Sequence, residues 1–172
     1  GRSGRFGSDK SVHVFNGKPL ISHVADAVKP VFKEIFIAAN DPEKFAFLGL
    51  PVVPDLIPGM GPLGGIYTAL ETFDIERVFV IPCDMPWIST DLIRFMCSIE
   101  PAYDIVVPRI GGRYQPLHAI YSHRCGDAIK GSIAREDYRM SGFYGGLNMR
   151  IVSEEEVRRF GDPERIFHNI NF

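Results

Sequence analysis

Short apolar runs alternate with helix-like segments along this 172-residue chain, and this alternation constrains its fold more than any other feature. The runs at 34–39, 77–84 and 104–108 are rich in β-branched and aromatic residues, as is typical of strands buried on both faces of a parallel sheet. Apolar residues recur at helical spacing over 20–29, and Ser89 is placed to cap another helix. The pattern predicts a three-layer α/β/α sandwich with a mostly parallel sheet and right-handed connections.

Less regular segments complete the predicted order of elements. The later pair of strands resembles a hairpin, so one antiparallel strand is expected within the sheet. These segments are a strand at 51–53, a glycine-rich loop at 58–65, a helix at 66–73, and two later strands at 116–121 and 147–152.

The length and the charge limit the classes of protein to which the chain can belong. Its 172 residues suit a single domain, 1–172, with one core. The formal net charge of -2 leaves no broad basic surface, so we expect no nucleic-acid partner. Any phosphate must therefore be recognised by a few placed cations.

The expected compartment and the expected extent of the chain follow from other signals. Three cysteines without a CxxC spacing indicate a reducing, cytoplasmic environment. No apolar run reaches the roughly 20 residues that span a bilayer, so no membrane association is expected. The chain opens in a glycine loop with no strand before it, which indicates that a first strand is missing ahead of Gly1.

The opening segment, 1–10, combines three glycines with two arginines and a lysine. Glycine lets backbone N–H groups approach phosphate oxygens, while Arg5 and Lys10 would supply positive charge. The spacing is neither that of a GxxxxGK[ST] loop nor that of GxGxxG. On composition alone, a phosphate cradle and a flexible terminus remain equally open.

Polar residues follow three of the predicted strands. Asp84 ends the clearest apolar run, while Asn40 and Asp55 follow two earlier ones. Ligands of open α/β sheets bind beyond the carboxyl ends of the strands, so these side chains are candidates for one site. A carboxylate such as Asp84 is a suitable ligand for Mg²⁺. Ordinary turn and capping roles remain open for all three.

Taken together, these features resemble the MobA family, the molybdenum cofactor (molybdopterin) guanylyltransferases. That family belongs to the Rossmann-like, glycosyltransferase-A-like nucleotidyltransferases. Its opening signature, LAGGxSxRMGxxK, is matched here from its last glycine, with Phe6 in place of methionine. The matching segments are Gly1, Ser3, Arg5, Gly7 and Lys10; Gly17–Leu20; Asn40; Asp55; Gly61–Ile66; Cys83–Pro86; Gln115–Leu117; and Asn169–Asn171.

The resemblance implies an activity and a set of site residues. It implies that GMP moves from GTP to the phosphate of molybdopterin, with Mg²⁺ as cofactor and release of pyrophosphate. Lys10, Asp84 and Arg5 would be catalytic, and Asp84 would bind the metal. The nucleotide would contact Gly1, Lys10, Asn40, Asp55 and Asp84, and the acceptor would contact Gln115, Pro116, Asn169 and Asn171.

Three alternatives remain open at this stage. A molybdopterin cytidylyltransferase or a sugar-phosphate nucleotidyltransferase would share the fold, and base choice is expected to depend on Gly61–Ile66. A non-catalytic nucleotide-binding regulatory domain is the third alternative. Other molybdenum cofactor biosynthesis proteins would be partners of the enzyme. The correspondence is loose between Lys130 and Leu147, which is consistent with residues missing from that segment.

Overall fold

The computed structural model describes residues 10–170, and for Lys10 only the backbone. The helices are α1 (Leu20–Val28), α2 (Pro62–Thr72), α3 (Thr90–Ser98), α4 (Cys125–Ala134), α5 (Glu154–Arg158) and α6 (Pro163–Ile166), with 3-10 turns at Lys10–Val12 and Glu43–Leu48. The strands are β1 (Val14–Phe15), β2 (Lys18–Pro19), β3 (Ile37–Ala38), β4 (Val52–Val53), β5 (Arg77–Val80), β6 (Ile105–Ile110), β7 (Arg113–Tyr114), β8 (Ala119–Ser122) and β9 (Met149–Ser153).

The main sheet contains five strands, in which β8 lies between β5 and β6. The strands β5, β6 and β9 share one direction, while β8 and the short β7 run against them. Sequence patterning predicted an α/β fold with one returning strand, and β8 is such a strand. The main sheet is nevertheless mixed among the described residues, because β6 with β9 is the one parallel ladder of its four. Two further pairs stand apart from it: an antiparallel hairpin of β1 and β2, and a parallel pair of β3 and β4.

Helices cover both faces of the main sheet, which gives the predicted three layers. Side chains of β6 alternate between the two faces, as a strand requires. Ile105 and Val107 pack with α2 and α4, whereas Val106 packs with α3, α5 and α6. No helix within residues 10–170 is both long enough and apolar enough to span a bilayer.

Several strands are shorter than the sequence predicts, because the length of the partner strand limits each ladder. The run 34–39 pairs only at Ile37 and Ala38, and the run 77–84 only as far as Val80. Val80 lies opposite Ala119, where β8 begins, so residues 81–84 continue past the end of their partner.

The glycine-rich segment 58–65 was predicted as a loop, but its last residues belong to α2. Pro62 occupies the first turn, where the missing proline N–H costs nothing. Glycine at position 64 lets the preceding loop pack closely on the helix, because a Cβ there would lie 3.0 Å from the Cβ of Met60. The prediction of a helix starting at residue 66 was therefore four residues late.

The segment between Lys130 and Leu147 is packed into the protein even though its family resemblance is loose. Phe143 and Tyr144 are buried in the core beside α4. The strand predicted ahead of Gly1 lies outside the described residues and stays a prediction. Within residues 10–170, no ladder joins β3 to β5.

Candidate functional site

Two of the segments that carry predicted site residues lie at the same edge of the main sheet. Asp84 follows β5, and the turn Gln115–His118 precedes β8. Since Val80 pairs with Ala119 in antiparallel register, both segments emerge at the carboxyl end of β5. Helix α2 begins after β4 and returns the chain to the start of β5, so β4 ends toward the same edge.

Asn40 and Asp55 form a pair across the ends of β3 and β4. The backbone N–H of Asp55 donates to Oδ1 of Asn40 at 2.8 Å, and Nδ2 of Asn40 donates to Oδ2 of Asp55 at 3.3 Å. The parallel register, Ala38 opposite Val53, makes this meeting possible. Two residues separated by 15 positions in sequence therefore form one polar unit.

The loop after Asp55 is anchored to the middle of α2. The N–H of Leu56 donates to Oγ1 of Thr68 at 2.9 Å, and Thr68 is fully buried. Further along the loop, Gly59 and Gly61 adopt φ values of +88° and +58°, which side chains other than glycine rarely adopt. The loop therefore has a defined path between the Asn40–Asp55 pair and α2.

Asp84 lies in a turn with a half-buried side chain. Its backbone oxygen accepts a hydrogen bond from the N–H of Ile170 at 3.0 Å, which places the C-terminal segment beside it. Met85 next to it is buried and holds the turn against the protein. Among residues 10–170 the carboxylate forms no ion pair or side-chain hydrogen bond, so its oxygens are available to a ligand.

The turn Gln115–His118 is closed by backbone and side-chain hydrogen bonds. The N–H of His118 donates to the carbonyl of Gln115 at 2.9 Å, and the hydroxyl of Tyr121 donates to the carbonyl of Pro116 at 2.7 Å. Burial raises the pKa of the Tyr121 hydroxyl well above its ordinary value, so it remains a donor. The turn is thus held from beneath by a strand residue.

His118 is completely buried next to this turn. Its ring lies between those of Phe79 and Phe167, each 5.1 Å away, and neither ring nitrogen has a hydrogen-bond partner in the described part of the chain. Burial lowers the pKa of His118 to about 3. The imidazole is therefore neutral and acts as a packing residue.

The structure brings together only part of the predicted site. Asn40 contacts Asp55, while Asn169 is held beside Asp84 through its neighbour Ile170. Gln115 and Pro116 lie in the turn that precedes β8. The other predicted residues fall outside the described part of the chain: Gly1, Arg5, Asn171 and the side chain of Lys10. Over the part of the chain described, no group of three or more His, Cys, Asp and Glu side chains could hold a metal ion.

Three residues with a clear structural part in this edge were not identified from sequence. In the sequence, Thr68 looks like an ordinary helix residue and Tyr121 like an ordinary strand residue. Their hydrogen-bond partners, Leu56 and Pro116, lie in loops that the local pattern does not connect to them. Trp87 is the one of the three that the sequence could have indicated, since it is the single tryptophan and lies three positions after the candidate Asp84.

The three-layer α/β fold is that of the Rossmann-like nucleotidyltransferases. A family model described as the MobA-like NTP transferase domain matches residues 1–150. The chain belongs to this family, as its sequence resemblance predicted.

Named relatives support the same assignment. The chain is 40% identical over 171 residues to a Pelotomaculum thermopropionicum protein named "Probable molybdenum cofactor guanylyltransferase", covering 99% of this chain and 83% of that protein. It is 32% identical over 173 residues to the molybdenum cofactor guanylyltransferase of Syntrophotalea carbinolica, covering 99% and 82%.

Solved structures share the fold. The molybdopterin-guanine dinucleotide biosynthesis protein A of Archaeoglobus fulgidus superposes with a TM-score of 0.83 at 24% identity, covering 99% of this chain and 88% of that one. At this identity the likeness shows the fold alone. A protein of Aquifex aeolicus gives a TM-score of 0.76 at 29% identity, with 89% and 79% covered.

Proposed function

We propose that this chain is a molybdenum cofactor guanylyltransferase, which transfers GMP from GTP to the terminal phosphate of molybdopterin. The observation that carries the proposal is the contact between Asp84 and the C-terminal segment, because it joins a metal-binding candidate to an acceptor-binding candidate. Family membership and the names of the relatives support the choice of substrates.

The reaction needs no nucleophile from the protein. A phosphate oxygen of molybdopterin forms a bond to the α-phosphorus of GTP, and the bond from that phosphorus to the bridging oxygen of pyrophosphate breaks. The electron pair leaves with pyrophosphate. Transfer of this kind depends on positioning and on neutralising negative charge. Arg5, Lys10 and the backbone of Gly1 would supply donors and positive charge on the phosphate side.

Asp84 fits a site for Mg²⁺. Its carboxylate is half-buried at the end of β5 and has no partner among residues 10–170, so it offers the oxygen ligands that this ion prefers. Within residues 10–170 no group of three or more His, Cys, Asp and Glu side chains could hold a metal, so an ion on Asp84 would take most of its other ligands from phosphates and water. When bound, Mg²⁺ would neutralise charge on the triphosphate.

The other site residues divide between nucleotide and acceptor. The Asn40–Asp55 pair would contact the nucleoside of GTP, with base choice set by the segment Gly61–Ile66. Gln115, Pro116, Asn169 and Asn171 would contact molybdopterin. We further propose that the chain works as one domain in the cytoplasm, alongside other molybdenum cofactor biosynthesis proteins.

Nucleotide choice can be tested before any turnover is measured. Thermal unfolding of the full chain would be followed with Mg²⁺ and GTP, CTP or UTP in turn. Of the three nucleotides, we expect only GTP to raise the melting temperature substantially, because a ligand that binds only the folded state stabilises it. Stabilisation by CTP alone would instead identify a cytidylyltransferase.

Turnover is then measured as pyrophosphate release with molybdopterin and the preferred nucleotide. We expect Lys10→Ala to lower the rate and the affinity for GTP, because one phosphate countercharge is lost. Nucleotide binding without any pyrophosphate release from the wild-type chain would favour a regulatory domain.

A further inference from the structure

Three rings from distant segments meet next to Asp84. Phe15 of β1, Trp87 and His168 form a continuous contact, which we call the aromatic bridge. The rings of Phe15 and Trp87 lie 5.5 Å apart at 87°, and those of Trp87 and His168 lie 5.4 Å apart at 58°. Perpendicular and tilted arrangements at these distances are favourable for aromatic pairs.

The bridge connects the same two segments as the hydrogen bond at Asp84. Ile170 bonds to Asp84, and His168 packs on Trp87. Along the chain Asp84 precedes Trp87, whereas its partner Ile170 follows His168, the partner of Trp87. The two segments therefore run antiparallel. Asn169 is exposed and lies between the two contacts. Its position relative to Asp84 is therefore fixed from both sides.

Other contacts anchor the two ends of this arrangement. Phe15 also packs against His23 of α1 at 5.7 Å, and its carbonyl lies 2.7 Å from Nε2 of that residue. On the other side, Phe167 packs against the buried His118. The aromatic bridge is thus tied to the body of the protein at both ends.

We infer that Trp87 is a positioning residue for the acceptor, acting by holding Asn169 at a fixed place beside Asp84. This inference rests on the proposed function, because Asn169 is the residue proposed to contact molybdopterin. The part assigned to Trp87 is carried by its ring contacts with Phe15 and His168 and not by contact with substrate. Its loss frees the C-terminal segment, while the Asn40–Asp55 pair on the nucleotide side remains in place.

Steady-state kinetics of Trp87→Ala, Trp87→Phe and a control separate positioning from general damage. The control is Phe47→Ala, which removes an aromatic ring that is 55% exposed and belongs to the 3-10 turn at Glu43–Leu48. We expect Trp87→Ala to raise the KM for molybdopterin about tenfold and to leave the KM for GTP within about twofold. Trp87→Phe retains a ring and should recover most of the acceptor affinity.

Amide hydrogen exchange tests the positioning itself without any turnover. The N–H of Ile170 is protected by its bond to Asp84, so Trp87→Ala should accelerate exchange in the peptide containing Ile170, and Trp87→Phe should do so much less. Unchanged exchange in Trp87→Ala would overturn the inference. So would an unchanged KM for molybdopterin in an enzyme that transfers GMP. A wild-type chain that transfers no GMP would contradict the proposed function, and the exchange data would still decide whether Trp87 positions the segment.

Discussion

Asn40 and Asp55 each hydrogen-bond the other, joining the ends of two parallel strands through one backbone and one side-chain donor. The amide of Asn40 both accepts and donates in this pair, so neither alanine nor aspartate can replace it fully. The geometry explains why an asparagine suits the position after β3: it can both donate to and accept from the aspartate that follows β4.

Replacement of Asn40 should therefore weaken GTP binding more than it weakens acceptor binding. Asn40→Ala removes the acceptor for the N–H of Asp55 and one of the two side chains proposed to contact the nucleotide. We expect the KM for GTP to rise roughly fivefold, which is about 1 kcal/mol of binding free energy. Asn40→Asp should be worse, because two carboxylates then face each other. Steady-state kinetics with each substrate varied in turn would measure both effects, and an equal rise in the two KM values would contradict the assignment.

Thr68→Val should loosen the loop after Asp55. The substitution keeps the side-chain shape but removes the oxygen that accepts from the N–H of Leu56. Loss of this hydrogen bond should cost about 1 kcal/mol of stability, and the loosened loop should raise the KM for GTP. Thr72→Val is the matched control, since Thr72 lies one turn later on α2 and is exposed. Equal effects from the two variants in thermal unfolding would show that the Thr68 bond is unimportant.

The buried His118 should make the folded state sensitive to acid. Its folded pKa of about 3 lies below the ordinary 6.5, so the unfolded chain binds a proton that the folded chain excludes as pH falls. The free energy of unfolding should therefore decrease below pH 6.5, by about 2 kcal/mol from this residue between pH 7 and 5.

Denaturant unfolding of His118→Phe at both pH values would measure this contribution. The variant should lose that part of the pH dependence, because phenylalanine binds no proton. His123→Gln serves as a control, since His123 is exposed. A pH dependence unchanged by His118→Phe would show that the imidazole is not buried as a neutral group.

Sequence patterning predicted the layers of the fold because strands buried on both faces leave short, continuous apolar runs, and helices packed on one side leave apolar residues at helical spacing. The apolar run 104–108 became the central strand β6, whose residues alternate between two helical layers. Strand ends were predicted less well: residues 81–84 are apolar in part but have no partner once β8 begins at Ala119. Such limits depend on the register of a distant strand, which local sequence does not contain.

In the candidate site too, features that depend on local sequence were predicted and features that depend on distant contacts were not. Asn40, Asp55 and Asp84 could be identified because strand ends are visible in the sequence. The contact of Trp87 with His168 could not, because it joins segments that are 81 positions apart and depends on how the C-terminal segment returns to the sheet edge. The start of α2 was missed because Gly64 has a low helix propensity that close packing overrides.

The most direct test of the proposed function follows the α-phosphate of GTP. The protein would be incubated with α-labelled GTP, Mg²⁺ and molybdopterin. The label in the pterin product would be compared with released pyrophosphate for wild type, Asp84→Asn and the exposed control Asp74→Asn. We predict equal amounts of labelled product and pyrophosphate from wild type and control, and a rate at least about 100-fold lower from Asp84→Asn. Wild-type turnover by Asp84→Asn, or label that never reaches the pterin, would contradict the account.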